Sequence, residues 1–208
     1  TVVSTGSLGG AGGDASLDLN VATGTTQAIG TLTIAGADGG SAGADGDSTS
    51  VPGAAGGSGG NASATIASDF TGNIVLNDGV AGATITAAGG AKGTATVTFD
   101  GGTVQTITGT IAADADGEGV IIFSGDSGDV TDIVTISGAV GTSAKKIGTI
   151  TSGVTTAQTN SAFTSDVFAT TITHGLNQDW AGDTTITMDF NGNATFTTLT
   201  VTGGLAAA

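Results

Sequence analysis

The sequence has no cysteine, which excludes a disulfide framework, a thiolate metal site and a cysteine nucleophile. Arginine is also missing, and the basic side chains are Lys92, Lys145 and Lys146, with a single histidine, His174. Against them stand 18 acids and a formal charge of −15. Phosphate backbones and anionic lipid surfaces both call for a basic face, so neither nucleic acid nor such a membrane is expected as a partner. No apolar run approaches the roughly 18 residues of a helical span, and insertion of this segment into a membrane is not expected. The helix formers Leu, Glu, Lys, Arg, Gln and Met are scarce: glutamate occurs once, at Glu118, and methionine once. Tyrosine is absent and Trp180 is the one tryptophan. That argues against the aromatic core of a large β-sandwich and against the aromatic platforms of sugar-cleaving sites.

What the chain does have is glycine, 39 of 208 residues, against a usual share of about 7%. Hydrophobic residues still make up 38%, mostly Val, Ile, Ala and Leu, which is too many for a disordered chain. One short unit recurs. It reads Thr31-Leu32-Thr33-Ile34-Ala35-Gly36, Thr96-Val97-Thr98-Phe99-Asp100-Gly101, Ile133-Val134-Thr135-Ile136-Ser137-Gly138 and Thr198-Leu199-Thr200-Val201-Thr202-Gly203, with Ile121-Ile122-Phe123-Ser124-Gly125 as a relative. Each is a strand with one apolar and one hydroxyl face, ended by a glycine. Longer similarities link Gly9–Ser16 to Gly56–Ser63 at a different offset from that between Gly24–Thr33 and Gly141–Thr151. The repeat is therefore degenerate, with loops of variable length.

No linker divides the chain, and residues 1–208 read as a single β-rich domain with a Gly-rich part, 1–65, and a part denser in strands, 66–208. The opening Thr1-Val2-Val3 reads as a mature or trimmed segment. The low-complexity stretch Gly36–Gly60 carries Asp38, Asp45, Asp47 and the only proline, Pro52. It is expected to be a flexible surface excursion; the other reading is ordered packing in which missing side chains let backbones approach. The fold class expected is all-β: a β-solenoid of parallel β-helix type with Gly-rich loops, or alternatively a β-sandwich with long loops. The inward side chains expected are Val97, Phe99, Ile107, Ile111, Ile122, Val134, Ile136, Ile150, Val167, Ile172, Ile186 and Phe196.

Residues 94–175 carry a further pattern. Thr98-Phe99-Asp100-Gly101 is followed by Gln105–Ile111, Gly117–Ile121, Val134–Ser143, Ile147–Ile150 and Phe163–Thr170. This resembles the degenerate repeats in passenger regions of bacterial surface autotransporters of the rickettsial outer-membrane type, and related repeats in structural proteins of marine bacteriophages. The resemblance implies a β-helical surface or virion component that is not an enzyme.

Carboxylates are the candidate chemistry. Asp114, Asp116 and Glu118 alternate around Gly117, and hard cations such as Ca2+ want several oxygen ligands on a tight turn. These three are the candidate metal ligands, with Ca2+ the candidate ion; the other reading is a solvated acidic turn. Asp126, Asp129 and Asp132 form a second, weaker candidate. Gly9-Gly10-Ala11-Gly12-Gly13-Asp14 is similar to a calcium-binding nonapeptide, but its large apolar residue falls late, at Leu17. A lone His174 excludes a histidine metal cluster, and no Gly-x-Ser-x-Gly elbow supports a serine nucleophile. Trp180, in a polar turn, reads either as an interface anchor or as a cap. Catalysis is not expected.

The function expected is a non-catalytic structural protein of an extracellular or cell-surface layer, filament or fibre, self-assembling through strand edges near Val2-Val3 and Ala194–Val201. A phage virion decoration or fibre protein is the alternative. An adhesive or carbohydrate-binding module with a polysaccharide partner is the second.

Overall fold

Alternating β-branched residues favour a pleated, half-buried backbone. The computed structural model describes residues 10–19, 26–42, 54–83, 88–100, 104–124, 133–152, 160–175, 188–190 and 192–202, and no helix occurs among them. The strands are β1 (Ala15–Leu19), β2 (Thr26–Ala35), β3 (Ala62–Ile66), β4 (Asp69–Asn77), β5 (Ala95–Asp100), β6 (Gln105–Thr108) and β7 (Ile111–Ala113). They continue with β8 (Glu118–Ser124), β9 (Ile133–Ile136), β10 (Ile147–Ser152), β11 (Asn160–Phe163), β12 (Val167–Gly175), β13 (Met188–Phe190) and β14 (Ala194–Thr202). The recurring strand unit of the sequence falls on β2, β5, β8, β9 and β14, as its alternation predicts.

Successive strands go mostly to different sheets. One sheet runs β1-β3-β5-β8-β10-β12-β14 and the other β13-β11-β9-β6-β4-β2, with β7 paired to β4. The pairings are parallel: Thr149 stands opposite Val120 on one side and Thr171 on the other, and Thr171 opposite Thr198. In the second sheet Ile136 stands between Ile107 and Phe163. Neither sheet closes on itself.

The chain forms two compact units. One comprises Leu17–Ile34, Ala64–Leu76 and Thr96–Ala208. Its strands bury alternate residues, as in β8, where Gly119, Ile121 and Phe123 face inward. Val97, Phe99, Ile107, Ile111, Val134, Ile136, Ile150, Val167 and Ile172 are buried as expected, together with Ile66, Phe70, Ile74 and Leu76. Each such Phe or Ile contributes about 1.5–3 kcal/mol by leaving water. The rings of Phe99, Phe123, Phe163 and Phe190 form a run with centroid distances of 5.6, 5.7 and 5.1 Å. Its middle contact joins β8 of one sheet to β11 of the other.

Ile122 departs from expectation. It is half-buried, and Ile121 takes the inward place. Adjacent isoleucines offer two frames of alternation, and a one-residue slip exchanges the faces. The frame adopted is the one that also buries Phe123. Phe196 is half-buried, and Ile186 lies outside the described residues.

The other unit comprises Thr1–Ser16, Ala35–Ser63 and Asn77–Ala95. Its Gly-rich segments are ordered, correcting the flexible excursion expected over 36–60 for its described parts, 36–42 and 54–60. Gly36, Gly39 and Ala42 donate N–H bonds to the carbonyls of Asn77, Val80 and Ala83 at 2.9, 2.8 and 3.1 Å. Ala37 and Gly40 donate instead to Gly60 and Gly57, while their own carbonyls accept from Gly93 and Gly90. Gly56, Gly59 and Ala62 donate to Ala88, Ala91 and Thr94. Every series advances by three residues, the repeat of a polyproline II backbone, which makes no bonds within itself and turns each third residue to the same side. Side chains follow the same count: Ala55, Ser58 and Asn61 are exposed, while the glycines between them are covered.

Gly56, Gly59 and Gly60 have no room for a methyl group. A Cβ on Gly56 would overlap the Gly40 carbonyl oxygen and lie 2.8 Å from the Gly90 nitrogen. We predict that Gly56→Ala lowers unfolding free energy by about 1–3 kcal/mol, the usual penalty of overpacking. Ser58→Ala, two residues away and exposed, should stay within about 0.5 kcal/mol of the parent. Denaturant midpoints of the two variants check this; equal effects would contradict the packing.

Candidate functional site

The acidic turn lies between β7 and β8. Gly117 has φ 77°, a left-handed conformation open to glycine, and its N–H donates to the Lys146 carbonyl at 2.9 Å. Asp114 is exposed, and its N–H donates to the Leu76 carbonyl at 2.8 Å. Asp116 is exposed as well; its Oδ1 accepts the Lys146 N–H at 2.9 Å and lies 3.6 Å from the Lys146 Nζ. Glu118 Oε2 accepts the Ala115 N–H at 3.2 Å, closing the turn. The turn thus directs two of the three candidate ligands to backbone donors. Among the described residues no group of three or more His, Asp and Glu side chains is arranged to hold a metal ion. Asp126, Asp129, Asp132 and Trp180 lie outside the described residues. His174 is half-buried on β12, opposite Ser152 and Val201.

Asp116 belongs to a series that the sequence reading missed. Asp14 Oδ1 accepts the Asn61 N–H at 2.7 Å, and Asn61 Oδ1 accepts the Thr94 N–H at 2.9 Å. Asp38 and Asp78 accept from Val80 and Ala95 at 2.9 and 2.8 Å. Asp69, Asn73 and Asp166 accept from Thr106, Thr110 and Asn193 at 2.8, 3.1 and 3.0 Å. In every case the side chain belongs to the earlier segment and the N–H to a later one. Many of these donors sit at strand starts, where the ladder has not yet supplied a carbonyl, and the short Asx side chain fills that gap. A signal was present: Asp14, Asn61, Asp166 and Asn193 each directly precede the first residue of a strand.

Asp78 combines this role with an ion pair, its Oδ2 lying 3.5 Å from Lys92 Nζ. The arrangement offers hydrogen-bond acceptors and binds segments together. Comparison with known protein families, curated proteins and solved structures finds no match.

The Lys146 N–H holds the Asp116 carboxyl below the usual carboxylate range; desolvation opposes this, and the Lys146 ammonium adds to the lowering. A folded pKa below the unfolded value of about 3.9 means the contribution is complete above that value and is lost as pH falls through the folded pKa. Asp116→Asn keeps an Oδ1 acceptor but does not titrate. The expected outcome is a variant whose acid limb of stability against pH is shallower than the parent's below about pH 4. Superimposable limbs would show that the contact does not persist in solution.

Proposed function

We propose that this chain is a non-catalytic structural protein of an extracellular surface layer, filament or fibre, wound as a β-solenoid and joined to copies of itself through strand edges. Strands that alternate between two parallel, unclosed sheets support the winding. The resemblance to surface-passenger repeats supports the extracellular placement. A surface rich in carboxylates and poor in Lys stays soluble where salt screens its charge.

The observation that carries the self-assembly reading is β14. Among the described residues it is the terminal strand of its sheet, nine residues long, with β12 as its neighbour. Natural proteins blunt such edges with lysine, proline, bulges or short length. The sequence Ala194-Thr195-Phe196-Thr197-Thr198-Leu199-Thr200-Val201-Thr202 contains no charge and no proline. Among the described residues the exposed large apolar side chains are Leu17, Val80, Val104 and Leu199, few enough that backbone pairing suits association better than a greasy patch.

A charge of −15 on each chain opposes assembly until salt screens it. Sedimentation velocity between about 20 and 500 mM salt, where the Debye length falls severalfold, should show larger species as salt rises. A monomer throughout, or assemblies that dissolve as salt rises, would overturn the reading.

A further inference from the structure

The Asx series has a direction. In each link an earlier segment supplies the side-chain acceptor and a later one the N–H, as in Asp14 to Asn61 to Thr94 and in Asp166 to Asn193. The order of the sheet puts β1 at one end and β14 at the other. Among the described residues Asn193, beside β14, is therefore the last acceptor of the series, and the Asp14 N–H, beside β1, the first donor. The Asn193 Nδ2 points back to Asp166 Oδ1 at 3.3 Å, which assigns the outward role to its Oδ1.

The flanking residues match. Asp14-Ala15-Ser16-Leu17 and Asn193-Ala194-Thr195-Phe196 follow one pattern: Asx, Ala, hydroxyl, large apolar. Val167 pairs with Ala194 and Ala169 with Phe196, so Phe196 stands in an inward column whose previous member, Ala169, is fully buried. The Ala15 N–H to Asn61 carbonyl bond sets Leu17 in the column of Ala64, also buried. Both columns end on an apolar side chain at the terminal strand: Leu17 is 45% exposed and Phe196 half-buried.

We infer that a second copy of this chain docks head to tail, with β1 of one copy adding in parallel to β14 of another in the register Ala15 to Ala194. Asn193 Oδ1 accepts the Asp14 N–H across the junction, Ser16 lies opposite Thr195, and Leu17 covers Phe196. This rests on the self-assembly reading and adds partner surface, polarity and register to it. The two surfaces differ, so the contact is heterologous and propagates from copy to copy, giving a filament, or a ring where the rotation closes, and not an isologous dimer.

A chain without cysteine makes the test clean. Ser16→Cys and Thr195→Cys are placed on separate chains, mixed under assembly conditions and oxidised. Paired residues on neighbouring strands lie about 4.8 Å apart, within disulfide reach. The expected result is a mixed dimer from this pair and none from Ser16→Cys with Thr197→Cys, which is about 6.6 Å further along the strand. Asn193→Ala should raise the concentration needed for assembly, and Asn193→Asp, which keeps the acceptor, should raise it less. Homotypic cross-links would overturn head-to-tail polarity. Assemblies that form without the mixed dimer would overturn the register and leave edge-mediated assembly standing. Absence of any assembly would remove both.

Discussion

A backbone N–H removed from water needs an acceptor, and in this protein the acceptors lie tens of residues away. The chain has few long-chain helix formers such as Glu, Lys, Arg and Met, and no cysteine to tie distant parts together. Parallel ladders such as β8-β10-β12-β14 do that work in one unit, each strand bonded to segments reached only after an intervening strand of the other sheet. In the Gly-rich unit, backbones of threefold repeat exchange bonds with several neighbours at once, as Ala37 and Gly40 do with 57–60 and 90–93. The Asx side chains extend the same principle to donors beyond the ladders.

This requirement explains the composition. Glycine lies where backbones touch, as at Gly56 against Gly40 and at Gly90 against Gly57. The need there is for space, since positive φ among the described residues is confined to Gly72, Gly109, Gly117, Gly119 and Gly141. Ala and Ser take the outward third positions. Thr and Val take the strands, where β-branched side chains fit the pleat. Aspartate is abundant and glutamate nearly absent because a one-carbon stem places Oδ1 close to a neighbouring backbone, which a longer side chain does at greater entropic cost.

Much of the strand architecture was legible in the sequence. The period of two in Thr96–Asp100 and Ile133–Ser137 gave both the strands and their inward residues. Ile121 and Ile122 were ambiguous because two equivalent apolar residues stand side by side, and only packing against other strands selects the frame. The Gly-rich part was harder. Its period of three is visible in Ala55-Gly56-Gly57-Ser58-Gly59-Gly60-Asn61, yet such a segment has no ordered structure until its partners are present, so no local signal separates it from a loop. The role of the acids as acceptors from distant backbone N–H groups was not legible, because their partners, Lys146 for Asp116 and Asn61 for Asp14, have no constant offset. Val2-Val3, the expected N-terminal edge, lies outside the described residues, while β1 occupies the end of its sheet.

Amide hydrogen exchange over residues 36–42 tests the account most directly, because strand propensity and core burial contribute little there. The N–H groups of Gly36, Ala37, Gly39, Gly40 and Ala42 are bonded to carbonyls of other segments, while Asp38 and Ser41 occupy the exposed third positions. Slow exchange is expected at those five and fast exchange at Asp38 and Ser41, a two-on, one-off pattern that follows the threefold repeat. Uniformly fast exchange across the segment, or protection alternating with a period of two, would contradict it.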